Sequence, residues 1–157
     1  MSTDVKFDFD GALPLARKLW QLADDIRTLK TGRASLATTA LTTWKGKFAD
    51  DFTQWQSDEE SALDTCETQL RSAAEAWGES YAKAVNEQNM VLYTRKVAEI
   101  KKAQDDRNLL EDAGHALGSA LGLNDGDKLP KDPSGHPCPV PRGPGFAKPD
   151  AGPKLIW

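Results

Sequence analysis

Proline is withheld from most of this chain: after Pro14 none occurs until Pro130, and eight of the nine prolines then crowd between Pro130 and Pro153. Proline breaks helix interiors, so its long absence leaves room for long helices, and the apolar spacing decides in their favour. Leu15, Leu19, Leu22, Ile26, Leu29, Arg33, Leu36 and Ala40 step alternately by 4 and 3. That is the heptad seam of helices packed at a shallow angle, with Arg33 as its one interruption. Flanking Ala12, Ala16, Ala23 and Ala37, with Trp20 on one shoulder, widen the seam into a stripe suited to a bundle rather than a strict two-stranded coil. Gly32 inside it costs about 1 kcal/mol relative to Ala, which a seam this long overrides. Asp10 as cap and Pro14 in the first turn place the helix start between Asp10 and Leu13. Thr38, Thr39, Thr42 and Thr43 weaken the helix by β-branching where it must end.

The stretch Trp44 to Trp55, WKGKFADDFTQW, then combines a turn with a second helix start. Gly46 can take φ > 0 without a Cβ clash and so reverse the chain. Phe48, Phe52 and Trp55 follow at steps of 4 and 3, lining one face with rings. The pattern continues through Glu59, Ala62 or Leu63, Cys66, Leu70, Ala73, Trp77 and Tyr81. Ser57 and Glu60 have capping-box spacing, but a break there would forfeit the aromatic face, so continuity is the expectation. The predicted fold is all-α: an antiparallel helical hairpin bent at residues 44–46. Beyond Asn89 the residues Tyr93, Val97, Ile100, Ala103, Arg107, Leu110, Leu117 and Leu121 keep helical steps with a narrow apolar stripe. This segment is either a helical extension or a third helix folded back after Asn86 to Asn89. Gly114, Gly118 and Gly122 at four-residue spacing could admit a close helix, though a fraying helix end is the plainer reading.

The W-x-G of Trp44 and Gly46, with Phe52 eight residues and Trp55 eleven residues after the first Trp, resembles the WXG family of small type VII (ESX) secretion proteins. The resemblance covers roughly residues 10 to 90. It implies a helical hairpin that pairs into a four-helix bundle, is exported folded through a membrane-embedded ATPase-driven machine, and uses the W-x-G turn as half of a composite export signal. The other half in that family is often Y-x-x-x-D/E, and here this sequence departs: Val85 follows Tyr81 and Val97 follows Tyr93 at that spacing. On this resemblance a partner supplies the tyrosine half, or the chain is a chaperone-like companion of a larger effector, or it is not exported at all. Larger relatives carry a linker and a toxin domain after such a region, and the tail of this chain would suit an N-terminal module of that kind.

The division expected is a flexible N-terminus at 1–9, the WXG-like hairpin at 10–90, a helical extension or third helix at 91–123, and a disordered Pro/Gly-rich tail at 124–157. The tail has too few apolar residues before Leu155-Ile156-Trp157 to offset its ordering entropy, and its Pro141-Arg142-Gly143-Pro144 matches PxxP no better than chance in so Pro-rich a run. A net charge of −4 without a basic patch argues against nucleic acid as a partner. No apolar run approaches the roughly 18 residues of a spanning helix, so stable membrane insertion is not expected. The N-terminus lacks a Sec-type signal; the resemblance implies a location outside the cell or at its surface by a signal-peptide-independent route, and without export the chain stays in the cytoplasm. Cys66 and Cys138 are read as free thiols.

No catalytic, cofactor or metal residues are assigned. His136 with Cys138 offers at most two ligands where zinc needs about four, His115 stands near a helix end, and the acidic runs Asp24-Asp25, Asp50-Asp51, Asp58-Glu59-Glu60 and Asp105-Asp106 read as solvated faces. Five Trp exceed what one helix pair can cover, since its apolar faces meet along a single line. The expected interface to a helical partner, a second copy or a WXG-like heterodimer partner, comprises Leu19, Leu22, Ile26, Leu29, Phe48, Phe52, Trp55 and Trp77, with Trp44 and Gly46 as the turn and export-signal motif. The alternative is a helical structural or scaffold protein of a larger assembly such as a phage particle.

Overall fold

The structure, a computed structural model, describes residues 4–113, 130–143 and 146. Gly114, Gly118, Gly122, His115, Leu117, Leu121, Pro144 and the terminal Leu155-Ile156-Trp157 lie outside the described residues. Among those described there is no strand: α1 (Phe9–Leu41) and α2 (Lys47–Ala113) are followed by one short 3₁₀ turn, Pro133–Gly135. Contacts divide the chain into two units. One joins Asp8–Tyr81 to Val140–Pro149, and the other joins Met1–Phe7, Ala82–Pro139 and Asp150–Trp157.

In the first unit α1 starts one step earlier than the sequence suggests. Asp8, not Asp10, is the cap, its carboxylate accepting from the Gly11 N–H at 2.8 Å. Pro14 therefore stands beyond the first turn, where it removes the N–H that would have met the exposed Asp10 carbonyl. At the far end the threonines do more than weaken the helix. Thr38 and Thr39 hydroxyls donate to the Ala34 and Ser35 carbonyls at 2.9 and 3.1 Å, and Thr42 and Thr43 donate to Thr39 and Ala40 at 2.7 and 3.1 Å. Each hydroxyl adds a second donor to a carbonyl, as at Thr39 and Ala40, which the Thr42 and Thr43 N–H groups also reach at 3.2 Å. Gly46 takes φ +79°, and its carbonyl accepts from Ala49 and Asp50 to open α2. From there α2 runs through Ser57 and through Asn86–Asn89 without a break.

The pairing of α1 with α2 is antiparallel. Moving back along α1 through Arg33, Arg27, Asp24 and Phe9 meets α2 at Glu59, Glu67, Arg71 and Tyr81 in turn. The lane of α1 that packs inward is not the leucine seam but the lane one residue on: Ala16, Ala23 and Ala37 are buried, with Lys30 as the fourth member of that seven-residue series. Small residues let the backbones come close. From α2 come Ala49, Ala74 and Tyr81, also buried.

The second unit holds extended segments against the amide-rich turn of α2. Gln88, buried, accepts from the Val5 N–H at 2.7 Å and donates to Asp4 at 2.9 Å, where Arg95 also donates at 2.8 Å. The Gln88 amide and then the Arg95 guanidinium hold the Asp4 carboxyl below the usual carboxylate range. Asn86 accepts from the Cys138 N–H at 2.7 Å, and burial pushes the Cys138 thiol upward. Pro130 and Pro133 are buried as well. Cys138 is half-buried, and the other described tail residues of this unit are exposed.

Candidate partner-docking face

The hairpin of the first unit leaves one apolar lane uncovered. Leu15, Leu22, Leu29 and Leu36 recur every seven residues on α1, and their exposure rises toward the bend, from 39% at Leu15 to 72% at Leu36. Leu19 and Ile26, the alternate members of the seam, are half-buried at its edge. On α2, Phe48 is 85% and Trp55 53% exposed, again seven residues apart. The Arg33 guanidinium lies 5.7 Å from the centre of the Trp55 ring. Arg33 is itself a seam position, so the Phe48/Trp55 row runs beside the leucine lane. The two rows form one face.

At the bend, Trp44 meets Phe52 edge-on with ring centres 5.3 Å apart, and Phe52 meets Trp55 at 5.9 Å. Phe52, half-buried, is the central ring; Trp44 and Trp55 keep half their surface in solvent. Such ring pairs add about 0.5–1.5 kcal/mol beyond area burial and so fix the loop's aromatic against the new helix. Gly46 has open space where a Cβ would stand, so its requirement is the backbone angle alone. The structure therefore brings together Trp44, Gly46, Phe52 and Trp55, and aligns Leu19, Leu22, Ile26 and Leu29 with Phe48 and Trp55. Trp77, partly exposed, lies 22 residues beyond Trp55, about 33 Å along α2 at 1.5 Å per residue, away from the bend and past the Arg71–Asp24 pair toward the Leu15 end of α1.

Sequence reasoning passed over the residues that hold the hairpin shut. Arg33 pairs with Glu59 at 2.7 Å, Lys30 with Asp64 and at 3.8 Å with Glu60, and Arg27 with Glu67 at 2.6 Å. Arg71 reaches both Glu67 at 3.0 Å and Asp24 at 2.7 Å while its guanidinium stacks 4.5 Å over Trp20. Burial pushes the Glu67 carboxyl up, but hydrogen bonds from Arg71 and Arg27 and their charges outweigh it, leaving it below its ordinary value. A hydrogen bond to Asp24, and then one to Glu67, holds Arg71 higher still. The signal was present: basic residues at 27, 30 and 33 on one helix match acidic residues at 59, 60, 64 and 67 on the other. Runs that read as solvated faces are in part a charge zipper.

With its inner contacts met by alanines and ion pairs, the hairpin has no internal use for the leucine lane. A seven-residue apolar repeat is buried along its whole length only by another helix at a shallow crossing angle. Among the described residues no group of three or more His, Cys, Asp or Glu could hold a metal ion, and no helix is long and apolar enough to cross a membrane. No family model, no curated protein and no solved structure matches this chain.

Proposed function

We propose that this is a non-enzymatic, WXG-like protein of a type VII secretion system, a secreted substrate or an export or targeting partner that accompanies a toxin. It works by laying its leucine and aromatic face against a second helical hairpin to form a four-helix bundle, with helices about 18–20° from antiparallel. The observation that carries the reading is the exposed lane Leu15, Leu22, Leu29 and Leu36, continued by Phe48 and Trp55, on a hairpin whose own interface is already satisfied. The W-x-G of Trp44 and Gly46, at the connection between two long helices, supports the secretion setting by resemblance. A second copy of the chain is the first partner to test, because it presents the same seven-residue repeat.

Sedimentation of the full chain from about 1 to 100 μM is expected to show a closed dimer. The pair Leu22→Glu and Leu29→Glu should weaken it at least ~100-fold, since two buried charges face an apolar lane, while circular dichroism stays helical. A wild-type monomer throughout that range, with no helical partner recovered from the native host, would remove the bundle. Export is read separately, by comparing a tagged chain in medium and lysate with and without the secretion ATPase. Release that ignores the ATPase removes the type VII role and leaves the pairing face to another assembly.

A further inference from the structure

The other flank of the hairpin is not open, and what closes it is the tail. Phe146 is wholly buried, its ring edge-on to Trp20 with centres 6.1 Å apart, and its carbonyl accepts from the Arg17 guanidinium. Upstream, the Pro141 carbonyl passes over Gly78, where any Cβ would run into that oxygen and stand 3.2 Å from the Phe146 ring. Arg142 reaches Glu79 at 3.7 Å, and Gly143 bends the chain with φ +72°. Five features thus meet one short peptide: a glycine floor, an aromatic wall stiffened by Arg71, a cation for a main-chain carbonyl, an acid for an arginine, and a slot for a ring.

We propose that Arg17, Trp20, Gly78 and Glu79 form a recognition site for a proline-rich peptide of pattern Pro-Arg-x-x-x-Phe, turned at the residue after the arginine, which this chain fills with its own Pro141, Arg142 and Phe146. The chemistry selects that class. Prolines already restrict the backbone of the free peptide, so it loses little entropy on docking. Its phenylalanine supplies the apolar anchor and its arginine the charge match to Glu79. Trp20 lies about 160° around the α1 axis from Leu22 at ~100° per residue, so this site is separate from the leucine lane and stands whether or not the secretion reading holds.

Trypsin cleavage at Arg142–Gly143 in the full chain reports docking, because cutting follows the released fraction of the segment. Phe146→Ala, a change outside both helices, and Gly78→Leu, which blocks the floor, should each speed that cut ~10-fold or more. Circular dichroism of both variants identifies any loss of the hairpin itself, in which case Phe146→Ala decides. A labelled synthetic peptide of residues 140–149 should then bind the Phe146→Ala chain at least ~10-fold more tightly than wild type, whose site is filled, and should not bind Phe146→Ala combined with Gly78→Leu. Equal cleavage of wild type and Phe146→Ala, or peptide binding that ignores both substitutions, overturns the site.

Discussion

Two lanes of α1 one residue apart meet opposite fates. Leu15, Leu22, Leu29 and Leu36 form the more apolar lane, yet solvent reaches between two- and three-fifths of most of them, and more at Leu36. Ala16, Ala23 and Ala37, with Lys30 between, form the less apolar lane and lie against α2. Hydrophobicity alone would exchange them, since burying a leucine side chain contributes about 1.5–3 kcal/mol and an alanine far less. What wins is closeness combined with charge. Alanines allow the backbones to approach, and Arg27, Lys30, Arg33 and Arg71 then reach across to Glu67, Asp64, Glu59 and Asp24. The lane richest in leucine is left for a surface that is not part of the hairpin.

The strongest way to break this comparison is to exchange the lanes at one step. Ala23→Leu adds bulk where none of the surface is exposed, and overpacking of that kind costs about 1–3 kcal/mol. Leu22→Ala removes bulk that is half in solvent and should stay within about 0.5 kcal/mol in the unassociated chain. Urea unfolding of both variants at low protein concentration measures the pair. A tolerated Ala23→Leu beside a costly Leu22→Ala would mean that the leucine lane, not the alanine lane, faces α2.

The connection sharpens it at the next level down. Gly46 fixes where α2 begins, and so which α2 residues face the alanine lane. Because a Cβ there meets nothing while φ is +79°, Gly46→Ala isolates the backbone cost, about 1–2 kcal/mol for an L-residue held left-handed. A variant as stable as wild type would show that the turn accepts another conformation. The register of the two lanes would then be set by the ion pairs instead.

Much of this was legible from the residues. The 4 and 3 steps from Leu15 to Ala40 identify a helix, and the same steps from Phe48 to Tyr81 identify its companion, because the 3.6-residue period is local and needs no partner to be seen. Which lane packs inward was not legible on hydrophobicity alone. An alanine lane is ambiguous by itself, and only the match between residues 27–33 and 59–67, separated by a bend, resolves it. The contacts of the described tail residues were not legible for a related reason. The tail's composition is that of a disordered segment, but composition does not reveal that Gly78 leaves a floor for Pro141 or that Trp20 offers Phe146 a wall. A single phenylalanine among prolines and glycines is the clue that could have been weighed.

The smallest expected effect concerns the charges that hold the alanine lane in place, and its sign follows from the directions of the shifts. Glu67 is held below its ordinary value by Arg71 and Arg27 once burial is offset, so the stability it contributes is fully present above the ordinary carboxylate range. That contribution is lost as pH falls through the depressed value. Lys30 runs the other way. Its hydrogen bond to Asp64 raises it, so its contribution is complete below the ordinary lysine value and disappears as pH rises through the raised one. Solvent reaches much of both groups' partners, which keeps each effect modest and makes it fade with added salt. Glu67→Gln should therefore melt below wild type at neutral pH, with the gap closing in acid and narrowing in salt. A gap that persists unchanged in acid would assign Glu67 a packing role, and the alanine lane would then be held by close contact alone.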